Sequence, residues 1–570
     1  MLDPEVTTDN AVSPLDTLDE LLSFKSPPLC AVQPLRDVAR GRPEDPKTLL
    51  CHDHIRGCYQ QDRFVHGCAN PKSYRFYHWQ VIDTFVYYSP YMVTIPPPGW
   101  ISAAHRHGVK VLGTFLVKSH EGPDVLDRIR RDNLLMKVAS QLALVANLSH
   151  FDGWLIDIES KMDKCQIRFL MKLLLAITTQ THQAVPGSLV IWYDSITNDG
   201  TLHWQSELNE KNCDFFKLCD GIFLNSRWTE DMLQESAFFA GTRKSDIYVG
   251  IDVYGQATSY VGGFETYRAV DTVRMLGLSA AIFGASWVYE TKDKRLFEQN
   301  QGRLWSFPDY CCPKWCLKAP PVSSSFCQGF GYKLYKKGKV VSMRSWFDLS
   351  KQQLQPRDQS KWLCQGCGSA VIYTDDAYDG GGCLRLRFLP DPKQPDAVPY
   401  FRLFNCDFPL GRLAVSYTFK QQKEDVSVEN DVALVLRART GTGKREELRL
   451  GIVVVPDERY AVARDVSLAC CNDSVDASGH SWMTRRYNIE DLRAAADCAI
   501  LEEIGISFVS TQANVCLLGE LVVERPQSGN WEAAAGKDGN ASDDSGPDSA
   551  ISSDELELED TRQAGDITSQ

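Results

Sequence analysis

The stretch FDGWLIDIE at residues 151–159 has the composition of a buried strand, and it ends in two carboxylates. Short apolar runs of the same kind recur along the chain: VIDTFVYY (81–88), VKVLGTFLV (109–117), LVIWYD (189–194), CDGIFLN (219–225), IYVGIDVY (247–254), AAIFGASW (280–287) and, as a weaker candidate, SSFCQGFG (324–331). Patterns of helical period lie between them, as at 125–148 and 165–182. Nearly continuous apolar strands separated by helices indicate a parallel sheet that is buried on both faces.

The number of these units predicts the class of fold. Seven or eight strand–helix units in about 250 residues match a (β/α)₈ TIM barrel. We predict this barrel, as a catalytic domain, for residues 49–335. A doubly wound open α/β sheet is the alternative. No GxGxxG or P-loop follows the first predicted strand, which disfavours a nucleotide-binding version of either fold.

The pattern changes after about residue 340. Short apolar runs there alternate with turn residues and few helical patterns separate them, which predicts an antiparallel β-sandwich over residues 336–525. Residues 1–48 are predicted to be a partly disordered N-terminal arm with one short amphipathic helix at 15–24. Residues 526–570 are rich in Ser, Gly, Asp and Glu and are predicted to be a disordered acidic tail.

Composition restricts the partners and the compartment. The 570 residues include 61 Lys and Arg against 74 Asp and Glu, a net charge of −13, and most of the excess acid lies at the two ends. This balance disfavours nucleic acid and anionic membranes as partners. We expect no membrane span, because no run of about 18 apolar residues occurs. The N-terminus lacks the pattern of a secretory signal, and 19 cysteines in a long chain suit reduced thiols, so we predict a cytosolic protein.

Asp157 and Glu159 are the candidate catalytic pair. Residues i and i+2 of a strand point to the same side, and barrel enzymes carry catalytic groups at the C-terminal ends of their strands. Glu159 could protonate a glycosidic oxygen, and Asp157 could orient a neighbouring group. An ionised Asp157 would favour the protonated form of Glu159. The alternative is a pair of ordinary polar strand-end residues, and the Asp-Gly that opens the strand favours function.

Aromatic residues at other strand ends suit a carbohydrate groove. Tyr193 could donate a hydrogen bond to a developing oxyanion or an amide oxygen, or it could cap the barrel core together with Trp192. Tryptophans stack on the apolar faces of sugars, and the candidates besides Trp192 are Trp204, Trp228 and Trp287. Each of them taken singly is also typical of core packing.

Several longer stretches carry a family resemblance. They are FYHWQVIDTFVYYSP, PPPGWISAAHRHGVKVLGTF, VANLSHFDGWLIDIE, VIWYDS, CDGIFLN, YVGIDVY and WVYE. The chain resembles the cytosolic endo-β-N-acetylglucosaminidases, glycoside hydrolase family 85, from about residue 48 to 524. The resemblance implies a barrel followed by β-sandwich modules. It also implies a hydrolase that cuts the N-glycan chitobiose core between its two N-acetylglucosamines, on an oligosaccharide or glycopeptide. No metal or organic cofactor is implied, and the oligomeric state is not predicted.

The family mechanism assigns roles to residues of this chain. It is substrate-assisted: the 2-acetamido oxygen of the sugar attacks the anomeric carbon and forms an oxazoline. By resemblance, Glu159 acts first as the acid and then as the base, Asp157 holds the acetamido nitrogen, and Tyr193 supports the acetamido group. The motif residues Asn225 and Asp252 join the tryptophans as predicted substrate-binding residues.

The chain also departs from the family pattern. The family usually has Asn where this chain has Asp157, an arrangement similar to the chitinase signature of family 18, although Leu155 replaces the middle Asp of that signature. Other strand-end departures are Lys118, Ser119, Arg227, Gln256 and Ala257. They indicate an altered substrate groove or weakened hydrolysis. A catalytically weakened glycan-binding homologue and a chitinase-like hydrolase therefore stay as alternatives.

Overall fold

The computed structural model describes most of the chain up to Pro526. The described residues are 11–27, 30–53, 62–118, 122–356, 368–390, 393, 398–421, 431–455, 458–465, 481–509 and 512–526. The predicted tail lies outside them beyond Pro526, as does Ser119. Within the described ranges, no helix has both the length and the apolar character that a membrane span requires.

Eight parallel strands form a closed barrel. They are β1 (Thr48–His52), β2 (Thr84–Tyr87), β3 (Lys110–Val117), β4 (Gly153–Ile158), β5 (Leu189–Tyr193), β6 (Gly221–Leu224), β7 (Ile247–Asp252) and β8 (Ser279–Phe283). Each strand pairs with the next, and β8 pairs with β1. The predicted TIM barrel is confirmed, and the open-sheet alternative is wrong because an open sheet has no pairing between its first and last strands.

Two strand predictions need correction. The first barrel strand is the short TLLCH of Thr48–His52, so the run at 81–88 supplies the second strand. The weaker candidate SSFCQGFG is not a barrel strand. Val322–Ser324 pairs antiparallel with Asn514–Glu524, far along the chain. The barrel is already complete at β8, and within this run Phe326 is buried in the sandwich core whereas Phe330 belongs to the core cluster of the barrel.

Helices cover the outside of the barrel. The predicted helical segment at 125–148 forms two helices, Gly122–Arg131 and Leu135–Ser149, and the segment at 165–182 forms Lys164–Ala184. The other α-helices are Pro98–Arg106, Cys213–Phe216, Glu230–Ala240, Thr266–Met275, Trp287–Thr291 and Phe297–Leu304. In the N-terminal arm, the predicted helix is present at Leu18–Ser23. Thr17 and Glu20 cap it reciprocally, and Leu18 and Leu21 are buried.

Two mainly antiparallel sheets form the predicted β-sandwich. In order across the first sheet, the strands are Val38–Arg40, Trp315–Leu317, Tyr400–Pro409, Ile500–Phe508, Val432–Arg439, Arg445–Leu450 and Val454–Val455. The second sheet runs Gly368–Tyr373, Cys383–Phe388, Asn514–Glu524, Arg412–Gln421, Met483–Asp491 and Tyr460–Asp465. Alternate side chains of both sheets fill one apolar core.

Carboxylates fasten the N-terminal ends of the barrel strands. Asp152, just before β4, accepts a hydrogen bond from the Val111 N–H at 2.7 Å, and its Oδ2 lies 2.8 Å from Nε2 of His105. Gly153 has a φ of 136°, and a Cβ there would lie 1.9 Å from the carbonyl oxygen of Leu189. The Asp-Gly that opens β4 therefore serves barrel assembly, at the end opposite to Glu159.

Candidate active site

Asp157 and Glu159 lie together at the C-terminal end of β4. Asp157 is the fifth residue of the strand and is only 3% exposed, and Glu159 follows the strand directly. The Glu159 N–H donates to the carbonyl oxygen of Val117 at 2.9 Å, so the extended backbone continues through this residue. Both side chains therefore project from the same side of the strand, toward the mouth of the barrel.

Two tyrosines from other strands of the barrel lie beside this pair. Tyr193 ends β5 and Tyr88 follows β2, and both pack on a cluster of side chains inside the barrel that includes Leu155. The Tyr88 hydroxyl donates to Oδ2 of Asp157 at 3.4 Å. On the other side, Nδ2 of Asn225 donates to the Tyr193 hydroxyl at 2.9 Å. The hydrogen of the Tyr193 hydroxyl is thus available to a substrate.

The surroundings hold a proton on the carboxyl pair. Burial, followed by the negative charge of Glu159, raises the pKa of Asp157 well above its usual range, while the hydrogen bond from Tyr88 opposes this shift. Burial also raises the pKa of Glu159. Burial and the nearby acidic charges raise the pKa of Tyr193 and of Tyr88, which keeps both hydroxyls protonated as donors. The pair can supply one proton and one negative charge in the same place.

A second group of acids lies at the mouth. Asp252 ends β7, and its Oδ1 accepts the Tyr254 N–H at 2.8 Å. Asp53 follows β1 and accepts the Gly284 N–H at 2.7 Å, which ties β1 to the residue after β8. Burial, then the charges of Asp252 and Glu290, raise the pKa of Asp53 to about 7. Predicted residue Asp252 is thus occupied in shaping a strand-end turn.

The predicted tryptophans lie in different environments. Trp192 is fully buried on the outer face of β5 and stacks on Phe215, with ring centroids 4.4 Å apart. The structure does not bring it to the mouth, because Ile191 and Tyr193 of the same strand point inward. Trp204 is 39% exposed, on the loop that follows β5.

The remaining two tryptophans pack against neighbouring segments. Trp228 is buried, donates from Nε1 to the carbonyl oxygen of Gly250 at 2.8 Å, and stacks on Tyr260. Trp287 is half-buried, and the Lys292 ammonium lies 4.1 Å from its ring centroid. Of the four predicted tryptophans, Trp204 offers the most open surface to a sugar.

The departures from the family pattern have distinct positions. Lys118 follows Val117, the register partner of Ile158, so its backbone lies level with Glu159 on the next strand. Among the described residues no ion pair joins the two side chains. Arg227 and Gln256 are exposed. Ala257 has a φ of 54°, in the left-handed region that favours glycine.

Sequence reasoning missed Tyr88 and Asp53. Tyr88 is the last residue of the run VIDTFVYY and alternates with the inward-facing Val86, which was a readable signal. Asp53 follows a strand that was itself not predicted. In the part of the chain that the structure describes, no group of three or more His, Cys, Asp or Glu is arranged to hold a metal ion.

Comparisons with known proteins find a family match and several similar relatives. The model of glycosyl hydrolase family 85 matches residues 59–334. The chain is 36% identical to the mouse cytosolic endo-beta-N-acetylglucosaminidase over 89% of this chain and 71% of the relative. The human protein of that name is 36% identical over 75% of this chain and 58% of the relative. The Arabidopsis thaliana cytosolic endo-beta-N-acetylglucosaminidase 2 is 41% identical over 78% of this chain and 65% of the relative.

A solved structure supports the fold. The glycoside hydrolase domain of Endo-D from Streptococcus pneumoniae superposes with a TM-score of 0.65 and 18% identity, covering 90% of this chain and 83% of that one. The predicted cytosolic location agrees with the names of the relatives. The predicted enzyme class, a glycosidase, is confirmed along with the family resemblance. By its similarity to relatives over most of its length, the chain belongs to glycosyl hydrolase family 85.

Proposed function

We propose that the protein is an endo-β-N-acetylglucosaminidase that hydrolyses the GlcNAc-β-1,4-GlcNAc bond of the N-glycan chitobiose core by substrate-assisted catalysis. The observation that carries this proposal is the pairing of Asp157 with Glu159 beside the Tyr193 hydroxyl. One carboxyl that keeps its proton, a second that can carry charge and a free hydroxyl donor are the groups that oxazoline chemistry needs.

Each group has one role in the first step. Glu159 gives its proton to the leaving glycosidic oxygen as the acetamido oxygen bonds to the anomeric carbon. Asp157 accepts a hydrogen bond from the acetamido N–H and stabilises the positive charge that develops there. Tyr193 donates to the acetamido oxygen and holds it against the anomeric carbon.

The second step reverses the proton transfer. Glu159, now a carboxylate, takes a proton from water, and the water oxygen bonds to the anomeric carbon as the oxazoline ring opens. The acetamido carbonyl re-forms, and the configuration at the anomeric carbon is retained. This sequence requires Glu159 to be protonated and Asp157 ionised at the start. Burial raises the pKa of Glu159 in the required direction but raises the pKa of Asp157 further, so the acetamido N–H that donates to Asp157 on binding is what favours its ionised form and moves the shared proton to Glu159.

We further propose that the substrates are free oligosaccharides and glycopeptides in the cytosol. The names of the relatives support this location. The buried cysteines Cys213, Cys219, Cys327 and Cys383 are free thiols, which suits a reducing compartment. A chitinase-like activity is less well supported, because the position of the middle acid is held by Leu155, which is buried in the barrel interior.

The test is the release of glycan from a high-mannose glycopeptide, followed by mass spectrometry. The expected product is a peptide that retains one N-acetylglucosamine. Glu159→Gln should lower kcat by about 10²- to 10⁴-fold, the usual contribution of a general acid. Glu235→Gln, an exposed glutamate on Glu230–Ala240, serves as the matched control. Absence of cleavage by the native protein on several N-glycan types, or faster turnover of chitin oligomers, would refute the proposal.

A further inference from the structure

The two carboxylate oxygens of Asp157 lie in different surroundings. Its Oδ2 accepts the Tyr88 hydroxyl, whereas its Oδ1 is buried without a hydrogen-bond partner. An unsatisfied buried carboxylate oxygen is unfavourable in a native structure and calls for a ligand that donates to it. The substrate acetamido N–H is such a donor.

The two oxygens of a carboxylate are chemically equivalent, whereas a side-chain amide has one oxygen and one nitrogen. An asparagine in this place would present one donor and one acceptor of fixed identity. With an aspartate, something outside the side chain must decide which oxygen stays free. Tyr88 is the protein donor to this carboxyl among the described residues.

The position of Tyr88 is firmly set. It follows β2 directly, its N–H donates to the carbonyl oxygen of His52 at 3.0 Å, and its ring packs on the interior cluster beside Val86. The hydroxyl therefore approaches Asp157 from a different strand and from a fixed backbone.

We propose that Tyr88 is a positioning residue that holds Oδ2 of Asp157 and thereby leaves Oδ1 to bind the acetamido N–H. This inference rests on the proposed function. The contact also favours the charged form of Asp157, since a donor stabilises a carboxylate more than a carboxylic acid. Tyr88 thus helps to place the shared proton on Glu159.

The titratable groups that face this carboxyl come from several strands. Glu159 lies on its own strand, Tyr88 and Tyr193 approach from β2 and β5, and Lys118 stands at the end of β3. Cys51 of β1 faces Tyr88. Of these groups, Tyr88 bonds Asp157 directly.

The experiment compares kcat and KM against pH for the native protein and Tyr88→Phe on a high-mannose glycopeptide. We expect kcat to fall about tenfold with KM changed less than about twofold, because the lost contact is a hydrogen bond to a charged group. The acidic limb of the profile should move to higher pH, since Asp157 loses the donor that favours its ionised form. Tyr248→Phe is the matched control, because Tyr248 belongs to the same interior cluster but precedes the mouth on β7.

Asp157→Asn provides the second background. There, Tyr88→Phe should cost less than about threefold and shift no acidic limb, because the ionisable partner is gone. An equal loss in both backgrounds, or an equal loss in Tyr248→Phe, would mean that Tyr88 only packs, and would overturn the proposal.

A readout independent of activity separates this proposal from the proposed function. The infrared band of protonated Asp157 is identified by subtracting the spectrum of Asp157→Asn from that of the protein that retains Asp157. As the pH is lowered, this band should appear at a higher pH in Tyr88→Phe than in the native protein. An unchanged band overturns the role of Tyr88, whereas a native protein that cleaves no glycan refutes only the function. If Tyr88→Phe fails to fold, 3,5-difluorotyrosine at this position takes its place, because its hydroxyl is a stronger hydrogen-bond donor. The band and the acidic limb should then move to lower pH. No movement would refute the inference.

Discussion

Replacing Asp157 with asparagine keeps the shape of the side chain and removes the charge beside Glu159. In the proposed mechanism the active form has Asp157 ionised and Glu159 protonated. Activity should therefore fall at low pH when Asp157 gains a proton, and at high pH when Glu159 loses one. In Asp157→Asn the acidic limb should disappear. The alkaline limb should move to lower pH, because Glu159 no longer loses its proton next to a negative charge.

The size of this effect follows from the strand. Two residues of extended chain separate the backbone positions by about 6.6 Å. Two unit charges at that distance and an effective dielectric constant of about 20 repel by about 2.5 kcal/mol, and solvent at the half-buried Glu159 makes this an upper bound. The variant also replaces a charged acceptor of the acetamido N–H with a neutral one. That difference of about 1 kcal/mol should lower kcat/KM at the optimum about fivefold.

The assay is kcat/KM on a glycopeptide across the pH range in which the protein stays folded, with circular dichroism at each pH. Glu159→Gln is the companion variant, and it should lose activity at every pH. An alkaline limb that stays in place or moves to higher pH in Asp157→Asn would refute the idea that the two carboxyls share a proton.

Three further changes test the site and its support. Tyr193→Phe removes the donor to the acetamido oxygen, so kcat should fall about a hundredfold in the same assay, and a loss below threefold would contradict this role. Asp152→Ala leaves the Val111 N–H and the His105 ring without their acceptor. The free energy of unfolding in urea should fall by about 3 kcal/mol, and a change below about 1 kcal/mol would contradict the account. Ala257→Gly relieves the left-handed backbone and should raise that free energy by about 0.5–1 kcal/mol, whereas a decrease would show that the position is not strained.

The barrel was predictable because its strands are nearly all buried on both faces and read as apolar runs. β1 was not predicted as a strand, because it is only five residues long and includes the polar residues Thr48 and His52. The run at 324–331 misled because buried apolar residues outside a barrel have the same local composition as a barrel strand. Only long-range pairing distinguishes them.

At the site, the sequence placed the residues whose chemistry is conspicuous. Asp157, Glu159 and Tyr193 were all predicted from the sequence, and the structure brings Asp157 and Tyr193 within electrostatic range of each other. Trp192 was misleading because a one-residue step along a strand turns a side chain to the opposite face. Tyr88 was overlooked because a tyrosine that ends an apolar run reads as core, and its partner lies 69 residues away.

The N-terminal strand Val38–Arg40 has a consequence for how the protein is made. It pairs with Trp315–Leu317, which in turn joins the sandwich sheet at Cys406. A ribosome that has released residues 38–40 must synthesise several hundred more before that sheet can form, and β1 waits similarly for β8. The pairing of Val38–Arg40 and the closure of the barrel between β1 and β8 therefore come late in synthesis, when the distant partner strands emerge. Shortening the chain within its C-terminal sandwich would leave the strand Trp315–Leu317, and with it Val38–Arg40, without the sheet it joins at Cys406.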